Sequence, residues 1–278
     1  MSAHRKAAPT PDLAEPPLLL RRDEGDGVTT LILNRPKARN SLSLAMLDAL
    51  GAAFADIAAD AAVRAVVLAA EGPVFSAGHD LREIAARRAD GDGGRAFFET
   101  AMARCAAVMQ AIVALPQPVI AAAEGTATAA GCQLVATCDL AVASTEARFC
   151  TPGVDIGLFC STPAVALSRA VAAKPAMEML LLGEMIPAEE ALRIYLVNRV
   201  VPPGEVMPTA LDLARRIAAR SALTVRLGKQ AFHRQRGLPL QEAYAHTACV
   251  MVENLMAEDA AEGIGAFLGK RSPVWKDR

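Results

Sequence analysis

The sequence predicts an α/β fold with a helical C-terminal region. Through the first half of the chain, apolar runs of strand length alternate with helical segments, which is typical of a mostly parallel sheet covered by helices. In the last third the pattern is helical throughout, without a low-complexity linker or an internal repeat. We therefore expect a flexible N-terminal tail over residues 1–17, an α/β core over residues 18–203 and a helical region over residues 204–278.

The composition is that of a globular protein with a sizeable core. Of the 278 residues, 53% are hydrophobic and 21% are charged, and the formal net charge is -1. This balance gives no overall attraction to nucleic acid, so we expect no nucleic-acid partner. No apolar run approaches the roughly eighteen residues of a membrane span, so we expect no span either.

The N-terminal residues and the cysteines together predict a cytoplasmic protein. Residues 1–17 contain no apolar run of the length that a secretion signal needs, and Asp12 and Glu15 argue against a transit peptide. The six cysteines form no CxxC pair, and most of them lie among small or apolar neighbours. This pattern indicates reduced packing residues and not disulfides or metal ligands, so we expect no metal site.

The chain opens with a predicted β-hairpin and a strand, helix, strand unit. Apolar runs at residues 18–22 and 28–33 flank a cluster of turn-forming residues. Asn40 and Ser41 offer an N-cap for an amphipathic helix that runs to about Ala59, because apolar residues recur there at helical spacing. The next predicted strand covers residues 65–70, and this order of elements favours a parallel sheet.

The middle and the end of the chain continue the pattern. Residues 87–94 are rich in Arg, Asp and Gly and predict a solvated loop. A helix over about 95–115 follows, and the sequence Pro-Gln-Pro ends it. Further strands are predicted at 119–123 and 139–143, and further helices at about 132–137, 163–172, 175–182, 188–194, 204–220, 224–235, 240–257 and 260–268.

Two turns of small residues carry the predicted chemistry. Residues 73–84 place Ala77 and Gly78 between a strand and a helix, and residues 125–131 repeat this arrangement after the strand at 119–123. Each turn can offer an unpaired backbone N–H, and two such groups that converge can bind an oxygen that develops negative charge. Small residues suit this role because the ligand must approach the backbone closely. Tight packing between strand and helix is the alternative explanation of either turn alone.

Five spaced motifs follow one another in the order of a known family. They are residues 33–40, 75–81, 125–139, 149–157 and 266–271, which read LNRPKARN, FSAGHDL, GTATAAGCQLVATCD, FCTPGVDIG and AFLGKR. On these motifs, the chain from about residue 18 to its C-terminus resembles the enoyl-CoA hydratase/isomerase (crotonase) family. Within the family, residues 151–154 and 157–163 are similar to the branch of enoyl-CoA hydratase domain-containing protein 3.

The resemblance implies a fold, an assembly and a ligand. It implies a crotonase-like spiral of ββα units for the core, a helical C-terminal region that makes homotrimers or hexamers of two trimers, and an acyl-CoA thioester as the ligand. Coenzyme A is then part of the substrate, and no separate cofactor is implied. The two family amides that bind the thioester oxygen fall on the N–H groups of His79 and Ala130. The second residue is usually glycine, so the methyl group of Ala130 narrows the approach to an N–H that is still available.

The resemblance also implies a set of substrate-binding residues. Residues 37–39 match the strip that lies along the phosphates and adenine of coenzyme A, where cationic side chains have an obvious role. Phe267 and Lys270 match the C-terminal helix that closes over coenzyme A, often from a neighbouring subunit. Together with the first turn, the implied set is Lys37, Ala38, Arg39, Ser76, Ala77, Gly78, Asp80, Leu81, Phe267 and Lys270.

The hydratases of this family use two glutamates, and neither is present here. Their positions match Gln133 and Gly153. Neither residue exchanges a proton near neutral pH, although Gln133 could orient a water or a substrate oxygen. Each lost acid or base typically costs about 10²- to 10⁴-fold in rate. Hydration is therefore expected to be slow or absent unless another group serves, and the candidates near the motifs are His79, Asp80, Glu124, Asp155 and Cys160.

Three functions stay open from the sequence. The intact pair of turns favours an acyl-CoA enzyme of the hydratase/isomerase type whose proton-transfer group is unusual. Gln133 together with Gly153 favours an acyl-CoA-binding protein without catalysis. A thioesterase or decarboxylase on the same fold needs only stabilisation of an anion and some polar group. The fold alone does not choose among them, and the sequence does not specify the acyl chain.

Overall fold

The computed structural model describes residues 16–278, which form two sheets. In spatial order, the large sheet consists of β1 (Leu19–Asp23), β2 (Val28–Leu33), β3 (Ala65–Ala70), β5 (Val119–Ala123), β7 (Leu140–Ser144) and β10 (Arg199–Val201). The small sheet consists of β4 (Val74–Ser76), β6 (Thr126–Thr128), β8 (Arg148–Cys150) and β9 (Ile186–Pro187). Residues 1–15 of the predicted tail lie outside the residues that the structure describes.

A repeated unit of two strands and a helix connects the sheets. In each unit the first strand joins the large sheet and the second strand joins the small sheet, so that β3 is followed by β4, β5 by β6 and β7 by β8. The helices that follow are α2 (Leu81–Arg87), α4 (Ala130–Thr137) and α5 (Ser161–Ala170). This confirms the α/β class and the ββα spiral. The second strands were not predicted, because runs of three residues are too short to show an alternating pattern.

The predicted hairpin and the first parallel pair are confirmed. β1 pairs antiparallel with β2, and β2 pairs parallel with β3, with Val28 opposite Ala65 and Leu33 opposite Ala70. Helix α1 (Leu44–Ala59) connects β2 to β3. Its N-cap is Ser43, whose Oγ accepts from the N–H of Met46 at 3.2 Å, so the prediction of Asn40 and Ser41 as caps is wrong. The Asn40 side chain has other hydrogen-bond partners, described below.

Helix α3 (Arg95–Ala114) is long and apolar enough to cross a membrane by length and composition. No observation other than length and composition indicates a membrane role for this helix, one face of which packs in the main core of the described chain. Four of its buried residues, Cys105, Val108, Met109 and Ile112, pack in the same cluster as buried residues of α1 and β5, and Ala101 is buried as well. Core helices of water-soluble proteins commonly have this character.

The C-terminal third is helical, as predicted, apart from the short strands β9 and β10. The helices are α6 (Ala173–Leu182), α7 (Ala188–Arg193), α8 (Val206–Ala218), α9 (Ala222–Gln235), α10 (Leu240–Met256) and α11 (Glu258–Leu268). Helix α8 packs on one face of the large sheet and forms a second apolar cluster with it. Helices α10 and α11 leave large apolar side chains exposed, among them Tyr244, Met251, Met256, Phe267 and Leu268. Assembly into a trimer or hexamer stays a prediction.

All six cysteines lie in the described part of the chain and all are free thiols. Cys249 is exposed, and the other five are buried or half-buried. Burial raises the pKa of the Cys105 thiol to about 11 and that of the Cys150 thiol to about 12. These thiols are therefore protonated near neutral pH, in agreement with packing roles.

Candidate functional site

The two small-residue turns meet at one edge of the small sheet. Strands β4 and β6 are parallel neighbours, so the turns that follow them leave the sheet at the same edge. A Cβ atom placed on Gly78 would lie 2.9 Å from the Cβ of Ala129 and 3.0 Å from the backbone nitrogen of Ala130. The two turns are therefore in van der Waals contact. We call residues 77–79 and 129–130 together the turn pair.

Each turn of the turn pair offers one free N–H. Leu42 forms an isolated parallel bridge with His79, in which the Leu42 N–H donates to the Gly78 carbonyl at 2.8 Å and the Leu42 carbonyl accepts from the Asp80 N–H at 3.3 Å. In this geometry the N–H of His79 itself faces away from Leu42. Ala130 is the first residue of α4, where an N–H has no partner within the helix. Neither N–H donates to any group within residues 16–278.

Unusual backbone conformations hold the turns this close. Gly78 has a φ of +81°, which residues with a side chain rarely adopt. Ala129 has a φ of 49° and a ψ of −119° although it has a Cβ atom, and such a conformation costs roughly 1–3 kcal/mol. Strain of this size persists only where the surrounding structure enforces it, and here it places the N–H of Ala130 next to the first turn.

Hydrogen bonds of Asn40 hold the first turn in position. This residue is fully buried, and its Nδ2 donates to the carbonyls of Glu71 at 2.8 Å and Val74 at 2.7 Å. Its Oδ1 accepts from the N–H of Arg35 at 2.8 Å. Its carbonyl accepts from the hydroxyl of Ser76 at 2.9 Å, and that hydroxyl accepts from the N–H of Gly78 at 3.3 Å. The segment before α1 is thereby hydrogen-bonded to β4 and to the turn.

The two polar side chains beside the first turn have different environments. The His79 ring is largely buried and its Nε2 has no partner among the described residues, so burial lowers the pKa of His79 although the nearby carbonyl of Leu42 acts in the opposite direction. The ring is therefore neutral near pH 7. Burial raises the pKa of Asp80, but hydrogen bonds from the Arg82 N–H, Arg35 and Ser41 outweigh this and lower it overall. Asp80 caps α2 and pairs with Arg35 at 3.1 Å.

The two residues that the resemblance matches to the family's glutamates cannot exchange protons and are tightly packed. Gln133 is buried, and its Oε1 lies 3.9 Å from the thiol of Cys105. Gly153 lies in a short 3-10 helix, Pro152–Ile156. A Cβ atom there would lie 2.7 Å from the Leu158 carbonyl and 2.8 Å from the Sγ of Cys160, so Cys160 occupies the space next to Gly153. We call Gln133, Gly153 and Cys160 together the carboxylate corner.

Comparison with known proteins decides the family. A model of the enoyl-CoA hydratase/isomerase family matches residues 23–278. The chain belongs to this family. It is 46% identical over 269 residues to the mitochondrial enoyl-CoA hydratase domain-containing protein 3 of Rattus norvegicus, covering 97% of this chain and 88% of the relative. This supports the branch that the sequence motifs indicate.

Solved structures of the enoyl-CoA hydratase/isomerase family have the same fold. The enoyl-CoA hydratase of Mycobacterium smegmatis superposes with a TM-score of 0.89 at 50% identity, covering 94% of this chain and 99% of that one. Human enoyl-CoA hydratase domain-containing protein 3 superposes with a TM-score of 0.88 at 47% identity, covering 93% of this chain and 100% of that one. The predicted crotonase-like architecture is thus confirmed.

The cytoplasmic prediction is wrong on the same comparison. The rat, mouse and human relatives, which are 45% to 48% identical to this chain, are named as mitochondrial proteins. The prediction depended on the absence of a recognisable leader in residues 1–17 and on Asp12 and Glu15. The similarity to proteins named as mitochondrial outweighs a prediction made from the composition of residues 1–17, and residues 1–15 lie outside the described chain.

The residues that the resemblance assigns to coenzyme A binding lie in two separate places in this enoyl-CoA hydratase/isomerase fold. Lys37 and Arg39 are exposed and form no ion pair within residues 16–278, and the strip that contains them adjoins the turn pair because the Arg39 carbonyl accepts from the Ala77 N–H at 3.0 Å. Phe267 and Lys270 lie at the exposed end of α11, where no hydrogen bond or ion pair joins them to the turn pair. Closure over a ligand by a neighbouring subunit stays a prediction for these two.

Three of the proposed replacement groups have other roles in the fold. Glu124 accepts from the N–H of Gly204 at 2.7 Å. Asp155 is exposed on the short 3-10 helix after β8. Burial raises the pKa of Cys160, although the Gly153 N–H partly opposes this. None of these three is therefore a strong acid–base candidate, and His79 and Asp80 are the ones that adjoin a free N–H.

A large cavity was not apparent from the sequence. It measures about 1300 Å³ and lies between the ends of α3 and α4, helix α5 and helix α9, with Gln133 in its wall. A buried charge cluster borders it, in which the Nζ of Lys229 donates to Asp139 Oδ2 at 2.7 Å and to the Ile112 and Gln117 carbonyls. Asp139 and Lys229 are ninety residues apart in sequence, so no local motif could reveal their pairing.

Proposed function

We propose that this protein is an acyl-CoA enzyme whose turn pair holds the thioester oxygen of its substrate. The observation that carries the proposal is the pair of unpartnered N–H groups, on His79 and Ala130, in two turns that touch. An enolate formed from a thioester concentrates negative charge on this oxygen. Fixed backbone donors at that point stabilise the transition state more than the substrate, which is how such sites accelerate reactions.

The carrier end of the ligand is proposed to lie along the strip before α1. Lys37 and Arg39 are exposed cations without an acidic partner in the described chain, so they are available to phosphate groups. The hydrogen bond from the Ala77 N–H to the Arg39 carbonyl places this strip against the first turn. A ligand with phosphates at one end and a thioester at the other fits this order of groups.

The chemistry that we propose is proton transfer next to the thioester, with slow or no addition of water. Gln133 cannot act as an acid or base, and Gly153 has no side chain. Each missing group costs about 10²- to 10⁴-fold in a hydratase, although such losses within one catalytic unit do not simply multiply. An isomerase or lyase reaction that proceeds through an enolate needs the turn pair and fewer acid–base groups. The neutral ring of His79 is the nearest candidate to move the proton.

A second candidate is an acyl-CoA-binding protein without catalysis, and one observation favours it. A side chain at Gly153 would meet the Leu158 carbonyl and the Sγ of Cys160 below van der Waals distance, so this position has no free space for a carboxylate side chain. A site that retained binding and lost turnover would have this arrangement. The two candidates share the turn pair and differ only in whether the bound thioester loses a proton.

One experiment separates the two candidates. Calorimetry with crotonyl-CoA and with free coenzyme A measures binding, and mass spectrometry of butyryl-CoA incubated in D₂O measures exchange of its α-protons. The enzyme proposal predicts that the thioester binds more tightly than free coenzyme A and that deuterium enters at the α-carbon. Binding without exchange would support the non-catalytic protein. Absence of any thioester binding would contradict both.

A further inference from the structure

A cavity that Gln133 helps to line extends along α4 toward helix α9. Gln133 and Thr137 both line it and lie one helical turn apart on α4, which is roughly 6 Å along the helix axis. Apolar side chains from three helices form much of its wall, among them Val113, Val165 and Phe232. A chain attached to a thioester at the turn pair could therefore extend past Gln133 into this space.

Among the residues that the structure describes, one acidic side chain lines the cavity, and it is already paired. Asp139 is bonded to Lys229 at 2.7 Å, lies 3.6 Å from the Nε2 of His233, and accepts from the N–H of Val119 at 2.8 Å. Lys229 in turn satisfies its ammonium group with Asp139 and two carbonyls, and its side chain is only 6% exposed. This pair contributes no net charge to the cavity.

Three exposed arginines that line the cavity have no acidic partner in residues 16–278, namely Arg169, Arg234 and Arg236. Two of them are held in place by uncharged groups. The Nη2 of Arg236 donates to the Arg169 carbonyl at 2.6 Å, and its guanidinium stacks 5.6 Å from the centre of the Phe232 ring. The Nη1 of Arg169 donates to the Val165 carbonyl at 3.0 Å. Each guanidinium has five N–H donors, so most of them stay available for a ligand.

We propose that the cavity takes the acyl chain of a coenzyme A ester that ends in a carboxylate, and that Arg169 and Arg236 bind this carboxylate. The proposal depends on the proposed function for the thioester end and adds the class of acyl group. An apolar wall followed by fixed guanidinium groups matches an apolar chain with an anionic end. Arginine suits a carboxylate because its planar fork can donate two parallel hydrogen bonds.

Calorimetry on the full-length protein tests the proposal with two esters of equal chain length. One is a medium-chain 2-enoyl-CoA that ends in a methyl group, and the other is the same ester ending in a carboxylate. We expect the carboxylate ester to bind on the order of tenfold more tightly at low salt, with the difference reduced at high salt because exposed charges are screened. The double variant Arg169→Gln/Arg236→Gln should bind the two esters equally and should bind the methyl-ended ester as the native protein does.

The control variant is Arg216→Gln, which removes an exposed arginine from α8 that pairs with Asp212 at 3.6 Å. It should leave the preference for the carboxylate ester unchanged. Equal binding of the two esters to the native protein, or a preference that survives in the double variant, would overturn this proposal alone. Failure of both esters to bind would overturn the proposed function and this inference with it.

Discussion

The turn pair and the carboxylate corner share helix α4, which begins at Ala130 and includes Gln133, and they differ in how their backbone is used. At the turn pair, two turns approach until only glycine fits at position 78, and Ala129 adopts a strained conformation, so that two N–H groups stay free. At the carboxylate corner, the space next to Gly153 is filled by Cys160 and the Leu158 carbonyl. The turn pair keeps its N–H groups free at the cost of backbone strain. The carboxylate corner has no free space next to Gly153, because ordinary packing fills it.

The resemblance implies that Gln133 and Gly153 replace two glutamates, and this difference supports the proposal that the packing around Gly153 also bears on the loss. If Gly153 faced an open pocket, a side chain could be restored there without other change. A Cβ atom placed at this position would instead lie 2.8 Å from the Sγ of Cys160, so a new side chain there requires its neighbours to move. The binding half of the site and its acid–base half are therefore expected to respond to mutation in opposite ways.

The largest effect is expected from Gly78→Val, which breaks the turn pair. The new side chain meets the backbone of the second turn at a φ of +81°, so we expect a loss of about 3 kcal/mol in the free energy of unfolding. Displacement of the N–H groups should slow α-proton exchange by about 10²- to 10³-fold. The matched control is Gly25→Val, which has a φ of +75° and open space around it. Equal effects of the two variants on exchange would contradict the account.

The next effect is expected from Asn40→Ala, which removes the support below the first turn. Three part-buried hydrogen bonds are lost, and the backbone carbonyls of Glu71 and Val74 are left unpaired. We therefore expect the free energy of unfolding, measured with urea, to fall by about 3 kcal/mol. Thioester binding should weaken by about tenfold. The control Asn34→Ala removes one hydrogen bond to the Pro17 carbonyl and should cost about 1 kcal/mol or less, with binding unchanged. Unchanged thioester binding in the Asn40 variant would refute its role.

Glutamates introduced at the carboxylate corner are expected to restore little hydratase activity. Gln133→Glu alone is expected to give no efficient hydratase, and adding Gly153→Glu should cost about 1–3 kcal/mol of stability because the site is full. Adding Cys160→Ala to this pair removes one of the two contacts, so turnover of crotonyl-CoA should rise on the order of tenfold. The control Cys249→Ala changes an exposed thiol and should do nothing. Near-normal turnover by the single Gln133 variant would show that the corner is open.

The smallest effect is expected from Ala129→Gly. Glycine adopts a φ of 49° without penalty, so the variant should be more stable than the native protein by about 1 kcal/mol. Ala130→Gly is the matched comparison, because Ala130 begins helix α4 and has no positive φ to relieve. It should be neutral or slightly destabilising. Thermal unfolding of both variants checks this, and a stabilisation shared by both would mean that strain at Ala129 is not the cause.

The sequence predicted the parts of this account that depend on local pattern. Strand lengths and the small-residue turns are readable from the residues near Gly78 and Ala130, and the resemblance to the family implies the replacement of both glutamates at Gln133 and Gly153. The strands β4, β6 and β8 were not, because three residues show no period. The close packing at the carboxylate corner also could not be predicted from the sequence, because it depends on how the chain after Gly153 folds back to place Cys160 next to it. Burial of Asn40 and the pairing of Asp139 with Lys229 are set by contacts between distant segments.

The central claim is that the backbone of the turn pair polarises a bound thioester. Infrared difference spectroscopy of crotonyl-CoA labelled with ¹³C at the carbonyl measures this directly. The account predicts that the carbonyl stretch moves to lower frequency on binding, and that the shift persists in His79→Ala because the donor is a backbone N–H. A bound ester whose carbonyl stretch stays at its frequency in water would contradict the claim.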